Sequence, residues 1–238
     1  MCLGLALLGL GGLALLAACA SAPYAEGDVA QLFPQGPRPR ELEVAAGDRS
    51  LHLVQQDGGP ARVLFIHGTP GDWQGWAGFL RDPRLRRQAS LLAVDRPGWG
   101  APGSGKVVPD LEQQAALLRP LLDQSSQPTL LVAHSYGGAV ALDDPHKVRG
   151  LVLIAPTLAP QYEALPWYEV PAGYFPVRLF LSAGLWRAYR ELAPLRRQLK
   201  AMLPQWPNLR VPVALIQGLD DDQVDPRTAD FAEAHLPA

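Results

Sequence analysis

Thr129-Leu130-Leu131-Val132-Ala133-His134-Ser135-Tyr136-Gly137-Gly138 decides the fold of this chain. The run from Thr129 to His134 is apolar and of strand length, without the alternation of a half-exposed strand, so it predicts a strand buried on both faces. It then meets a small-x-Ser-x-Gly pattern, with Ala133 and Gly137 flanking Ser135. A bulky side chain at either flank would clash with the neighbouring strand or helix in so sharp a turn, and the serine backbone within it is strained. Ser135 is thereby expected at the carboxyl end of a sheet, with a helix N-terminus behind it that favours developing negative charge.

The same pattern extends in both directions. Val63–His67, Leu91–Asp95, Leu151–Ala155 and Val211–Gln217 are further compact apolar runs of strand length. Between Leu111 and Leu122, apolar residues at Leu111, Ala115, Leu118, Leu121 and Leu122 make one helical stripe. Strands that are apolar on both faces and alternate with helices imply an α/β fold, a mostly parallel sheet with helices on both faces. Glu41–Val44 and Leu51–Val54 alternate in polarity around Ala46-Gly47-Asp48, which predicts a hairpin at one edge.

With strand, serine turn and helix in that order, the segment resembles the nucleophile elbow of the α/β-hydrolase superfamily, Ala133 standing where Gly is more common. Two further segments agree in type and order. His67-Gly68-Thr69-Pro70-Gly71 resembles the family's oxyanion loop, and the resemblance implies that the backbone N–H groups of Thr69 and Tyr136 form the oxyanion hole. Asp95-Arg96-Pro97-Gly98-Trp99-Gly100 resembles a turn that shapes the sheet end in that family. The resemblance spans roughly 41–238 and implies a serine nucleophile, Ser135. Substrate is left open, because ester, peptide, lactone, epoxide and halide chemistry all occur on this fold.

Gly218-Leu219-Asp220-Asp221-Asp222-Gln223-Val224 matches the family's Gly-x-x-Asp-x-x-Val after a late strand, which puts Asp221 in the acid position with Asp220 and Asp222 as adjacent alternatives. A serine also needs a base, and the acid orients that base. In the family the histidine follows one more strand, whereas this sequence ends at Ala238. His235 lies in Ala229–Leu236, which reads as a helix facing the sheet's flank; His67 and His134 precede turns and read as hydrogen-bonding supports; His52 and His146 are no better placed. The expectation is a fold lacking its last strand and helix, and activity near background for a chain that stops at Ala238. A second departure is the helix after Ser135, which Asp143-Asp144-Pro145 ends about one turn early.

Residues 156–210 break the strand–helix rhythm and read as a helical cap over the sheet, with Leu185, Tyr189, Leu192, Leu195, Leu199 and Met202 at helical spacing around Pro194. Arg178, Arg187, Arg190, Arg196, Arg197, Lys200 and Arg210 outnumber Glu163, Glu169 and Glu191 there, which reads as a solvated helix face.

At the other end, Leu3–Ala18 is an uncharged run of Leu, Ala and Gly, short for a membrane span and closed by small residues, as in a signal peptide. Leu16-Ala17-Ala18-Cys19 resembles a bacterial lipobox, which implies cleavage before Cys19 and lipidation of its thiol. The alternative is an ordinary signal peptide cut after Ala20 or Ala22, and the leader lacks the usual Lys or Arg before its apolar run. Ala20 and Ser21, with no Asp at the second position, imply sorting to the outer membrane, facing the periplasm. The organisation is a leader over 1–18, a Pro-, Gly- and Ala-rich tether over 19–40, a core over 41–155, the cap over 156–210 and the core again over 211–238.

Composition bounds the function. Asp and Glu number 23 against 21 Lys and Arg, a net charge of −2, which argues against nucleic acid as the main partner. Two cysteines cannot build a disulfide framework or a Cys-based zinc site, and no metal spacing or cofactor motif is present. The expected protein is a lipid-anchored envelope hydrolase acting on a small-molecule ester or related acyl substrate through Ser135, held at the membrane by lipid on Cys19. The alternatives are a non-catalytic binding protein on the same fold and an inactive truncated product.

Overall fold

The computed structural model describes residues 28–100, 105–163 and 181–237. The leader over 1–18, Cys19, the tether up to residue 27 and the 164–180 part of the expected cap lie outside the described residues.

Seven strands form one sheet: β1 Arg40–Ala46, β2 Arg49–Gln56, β3 Ala61–Ile66, β4 Ala89–Val94, β5 Thr129–His134, β6 Gly150–Ile154 and β7 Val213–Ile216. Their order is β1-β2-β4-β3-β5-β6-β7, antiparallel from β1 through β2 to β4 and parallel from β4 to β7. The expected hairpin is β1–β2, and all five apolar runs are strands. β7 begins later than the apolar run, at Val213, since Pro212 has no N–H to give the ladder. All six residues of β4 are buried, as a strand covered on both faces requires.

Helices cover both faces. On one, α4 (Leu111–Asp123) lays down its predicted stripe of Leu111, Ala115, Leu118, Leu121 and Leu122, and Asp110 caps it by accepting from the Gln113 amide. It packs in one core with α5 (Tyr136–Asp143), with Leu195, Leu199 and Met202 of α6 (Ala183–Met202), and with Ala232 of α7 (Arg227–His235). Each large aliphatic side chain fully buried there contributes about 1.5–3 kcal/mol. On the other face, Trp73, Trp76, Ala77 and Leu80, from a 3₁₀ turn and α2 (Ala77–Arg81), cover Val54, Phe65, Leu91 and Ala93, with α3 (Pro83–Gln88) beyond.

That second face is unevenly covered. Val132, Val152, Ile154 and Ala214 share it with Leu130 and Ile216, and the last two are 39% and 54% exposed.

Two expectations are corrected. Part of the tether is docked: α1 (Asp28–Leu32) leads Phe33 into the core cluster of Trp73 and Trp76, where burial of the ring contributes about 1.5–3 kcal/mol toward ordering the segment. The positively charged insertion is only partly a solvated face. Arg196, Arg197, Lys200 and Arg210 are exposed, but Glu191 on the same helix has no exposure and meets a buried guanidinium.

Candidate active site

Ser135 stands between the end of β5 and the start of α5, with φ 51° and ψ −124°. A non-glycine residue in this region costs on the order of 1–3 kcal/mol, so its surroundings must impose it. They do so through the backbone: the Ser135 N–H donates to Ile154 O at 3.0 Å, and Ser135 O accepts from Gly138 N at 2.8 Å and Thr157 N at 3.2 Å. Helix α5 is short, as Asp143-Asp144-Pro145 predicts, yet the elbow is intact because these bonds come from β6 and the first turn rather than from the helix's far end.

The flanking glycines are required by close approach. A Cβ on Gly137 would lie 2.5 Å from His67 O and 2.8 Å from Ile66 O. One on Gly68 would lie 2.9 Å from the Ser135 Cβ and 3.1 Å from His134 Nδ1. The glycine-bearing loop after β3 is thus pressed against the serine at Gly68, and Thr69 is the next residue along it. Tyr136, the residue after the serine, is fully buried.

Asp221 follows β7. Its Oδ1 accepts from the Gln223 and Val224 amides at 2.9 and 3.0 Å, and its Oδ2 from Gln217 Nε2 at 3.1 Å. Burial would raise its pKa, but these donors outweigh burial and hold the carboxyl below its usual range. Asp222 takes one side-chain bond, from Gln223 Nε2, and Asp220 and Asp222 are both exposed. The three aspartates are therefore unequal, and Asp221 alone is built into the turn.

The five histidines are all described. His67 is buried, donating from Nδ1 to Gly68 O at 2.7 Å and accepting at Nε2 from Arg96 N at 2.9 Å, which keeps it neutral; burial drives its pKa well down. It is a support for the loop, as its sequence position suggests. His52 is bound to Asp95, His146 to Asp123, and His235 to Phe231 O within α7. His134 differs from the expected support: no hydrogen bond reaches its ring among the described residues. Burial lowers its pKa, partly offset by the charge of Asp221.

Sequence reasoning missed the polar cluster behind the loop. Arg96 and Glu191 form an ion pair at 2.8 Å with no exposure on either side chain, joined by Gln114, Trp99 and Thr69. Arg96 was visible only as one residue of a turn, and Glu191 as one acid among many arginines. Among the described residues no cluster of three or more His, Cys, Asp or Glu side chains could hold a metal. A groove of about 440 Å³ lined by Ser125, Ser126, Lys147 and Arg149 opens near the start of β5 and β6, the sheet end opposite Ser135.

The strained serine at a strand–helix junction, on a sheet of this order, defines a hydrolase architecture. The chain belongs to the alpha/beta hydrolase family, whose model matches residues 63–237. It is 37% identical over 118 residues to the lipase LipV of Mycobacterium tuberculosis, covering 46% of this chain and 42% of LipV. It is 34% identical over 127 residues to the dihydrolipoyllysine-residue acetyltransferase component of the acetoin cleaving system of Pseudomonas putida, covering 51% of this chain and 33% of that protein. The chain thus spans less than half the length of these relatives. Among solved structures it resembles the haloalkane dehalogenase DatA of Agrobacterium tumefaciens C58, with TM-score 0.63 and 19% identity over 85% of this chain and 87% of that one. The epoxide hydrolase VrEH1 of Vigna radiata gives TM-score 0.61 and 18% identity over 82% and 85%. Both likenesses are of fold.

Proposed function

We propose that this protein is a serine hydrolase that cleaves a carboxylic ester or related acyl group. One observation carries the reading: Ser135 holds φ 51° where a glycine would sit without strain. Strain kept at a side chain with a hydroxyl supports use of that hydroxyl.

In this reading Ser135 Oγ attacks the acyl carbon and its proton passes to a base. The Thr69 and Tyr136 N–H groups, with the start of α5 behind them, stabilise the oxyanion. The base returns the proton to the departing alcohol, and water attacks the acyl-serine to release the acid and restore Ser135. Asp221, ionised and hydrogen-bonded in its turn, orients the base. None of the five histidine rings is hydrogen-bonded to Ser135 among the described residues, and no base is named among them. That same observation favours a second reading, a non-catalytic module that binds an acyl ligand on this fold.

Turnover of p-nitrophenyl esters by protein made from its complete reading frame, against Ser135→Ala, separates the two. Hydrolysis lost in the variant supports the enzyme; a folded, monodisperse protein that retains ligand without turnover supports the binder.

We also propose that the protein is held at the bacterial envelope by lipid on Cys19, on the outer membrane facing the periplasm. No helix among the described residues is long and apolar enough to cross a membrane. Acyl chains contribute about 0.8 kcal/mol per buried methylene, enough for several chains to anchor a domain of this size. Metabolic labelling with palmitate, retained in the wild type and lost in Cys19→Ser, is the expected result.

A further inference from the structure

We infer that Arg96 and Glu191 are positioning residues for the oxyanion hole: Glu191, reaching in from α6, holds Arg96, and Arg96 sets both Thr69 and Tyr136. The inference rests on the oxyanion role proposed for those two residues.

The guanidinium divides its donors between this loop and the groups that hold it, Nη1 going to Gln114 Oε1 and Glu191 Oε1 at 2.8 Å each. Its Nε donates to His67 O at 2.9 Å and its Nη2 to Gly68 O at 2.9 Å and Thr69 Oγ1 at 3.0 Å, so three consecutive residues of the loop hang on one side chain. The Arg96 backbone N–H adds a fourth tie, to His67 Nε2. Arg96 also lies over the Tyr136 ring, its Cζ 4.7 Å from the centroid. Both proposed donors are therefore registered against a single planar group.

A buried guanidinium cannot hold that position unpaired, because an uncompensated charge in the interior is expelled or hydrated. Glu191 supplies the counter-charge in fork geometry, Oε1 to Nη1 at 2.8 Å and Oε2 to Nη2 at 3.0 Å. The carboxylate is itself saturated by Trp99 Nε1 at 3.0 Å, Gln114 Nε2 at 3.1 Å and the Thr69 hydroxyl, which donates to Oε2. Gln114 Nε2 also reaches the Tyr136 hydroxyl, at 3.3 Å. Every polar atom points to one arrangement, in which α6 must be docked for Arg96, and through it the two amides, to take their places. A surface ion pair would tolerate loose geometry; a fully buried pair with this many shared partners does not.

The test uses Thr69→Val, Thr69→Ser and Glu191→Gln. Thr69→Val removes the hydroxyl that ties the loop to the pair and leaves Arg96–Glu191 intact, so it is the variant expected to keep the fold. Thr69→Ser keeps the hydroxyl. Two readouts are taken: kcat and KM on a p-nitrophenyl ester, and amide hydrogen exchange of 67–71 (all but Pro70, which has no N–H) and 136–138 against α4. Expected are a fall in kcat of about tenfold or more with KM within about twofold for Thr69→Val and Glu191→Gln. Exchange at 67–71 rises by a similar factor while α4 is unchanged, and Thr69→Ser restores wild-type values. Unchanged loop exchange in both variants, or a Thr69→Ser as defective as Thr69→Val, overturns the inference. A wild type with no turnover refutes the proposed function instead, and the exchange readout still decides the role of the pair.

Discussion

The carboxylate of Glu191 and the guanidinium of Arg96 meet through both oxygens and both terminal nitrogens in a site from which solvent is excluded. Removing one partner leaves the other buried and charged. Glu191→Ala is accordingly expected to destabilise the protein by about 3–5 kcal/mol, and replacing both residues by Met to cost less than that but not nothing, because the double variant removes the stranded charge yet still leaves His67 O, Gly68 O, Gln114 and Trp99 Nε1 without these partners. Urea unfolding of the three proteins measures the difference, and a single variant no less stable than the double would contradict it.

The elbow makes a steric prediction. Gly137→Ala sets a methyl 2.5 Å from His67 O, which is backbone and cannot step aside as a side chain would. A loss of about 1–3 kcal/mol is expected, together with reduced reactivity at Ser135 as the loop is pushed away. Thermal unfolding checks the first part and ester hydrolysis the second.

The three aspartates after β7 separate by their bonding. Asp221→Asn should lower turnover by on the order of 10⁴-fold, since an amide there presents the wrong hydrogen-bonding pattern to the base. Asp222→Asn, on an exposed side chain, should leave turnover within about twofold. Equal losses in the two variants would move the acid away from Asp221.

Two half-buried acids give stability a pH dependence. Burial, with Asp225 adding, pushes the Glu163 carboxyl up to about 7, and burial, with Glu112 and Asp144 adding, pushes Asp143 up to about 6. Between their ordinary values and these raised ones the folded state holds more protons than the unfolded chain. Their contribution is therefore present at low pH and is lost as pH rises from about 4 to 7. Glu163 is partly exposed, so solvent reduces its share to on the order of 1–2 kcal/mol. Urea midpoints across that range should fall less in Glu163→Gln than in the wild type.

What could be read from the sequence and what could not divides by distance along the chain. The strands were legible as continuous apolar runs, although only β4 is buried at every residue and β5, expected to be buried on both faces, alternates because little covers Leu130 and His134 on its second face; the Ser135 elbow was legible because its steric needs fall on near neighbours, Ala133 and Gly137. The Arg96–Glu191 pair was not. Its partners are 95 residues apart, and Glu191 lies among Arg187, Arg190, Arg196 and Arg197, where periodicity alone reads a solvated face. Phe33 was hidden likewise: a single aromatic in a Pro- and Gly-rich stretch has no periodic companions, and only the pocket beside Trp76 explains it. His134 carries a different lesson, since its place before the serine suggested a hydrogen-bonding support and its ring makes no such bond among the described residues.

The claim on which the account turns is that Ser135 is the nucleophile. Peptide mass spectrometry of protein from the complete reading frame, after reaction with a fluorophosphonate, tests it directly. The account predicts one adduct, on Ser135, absent in Ser135→Ala and slowed in Asp221→Asn. A folded protein that carries no adduct at Ser135, or that is labelled to the same extent in Ser135→Ala, would contradict it.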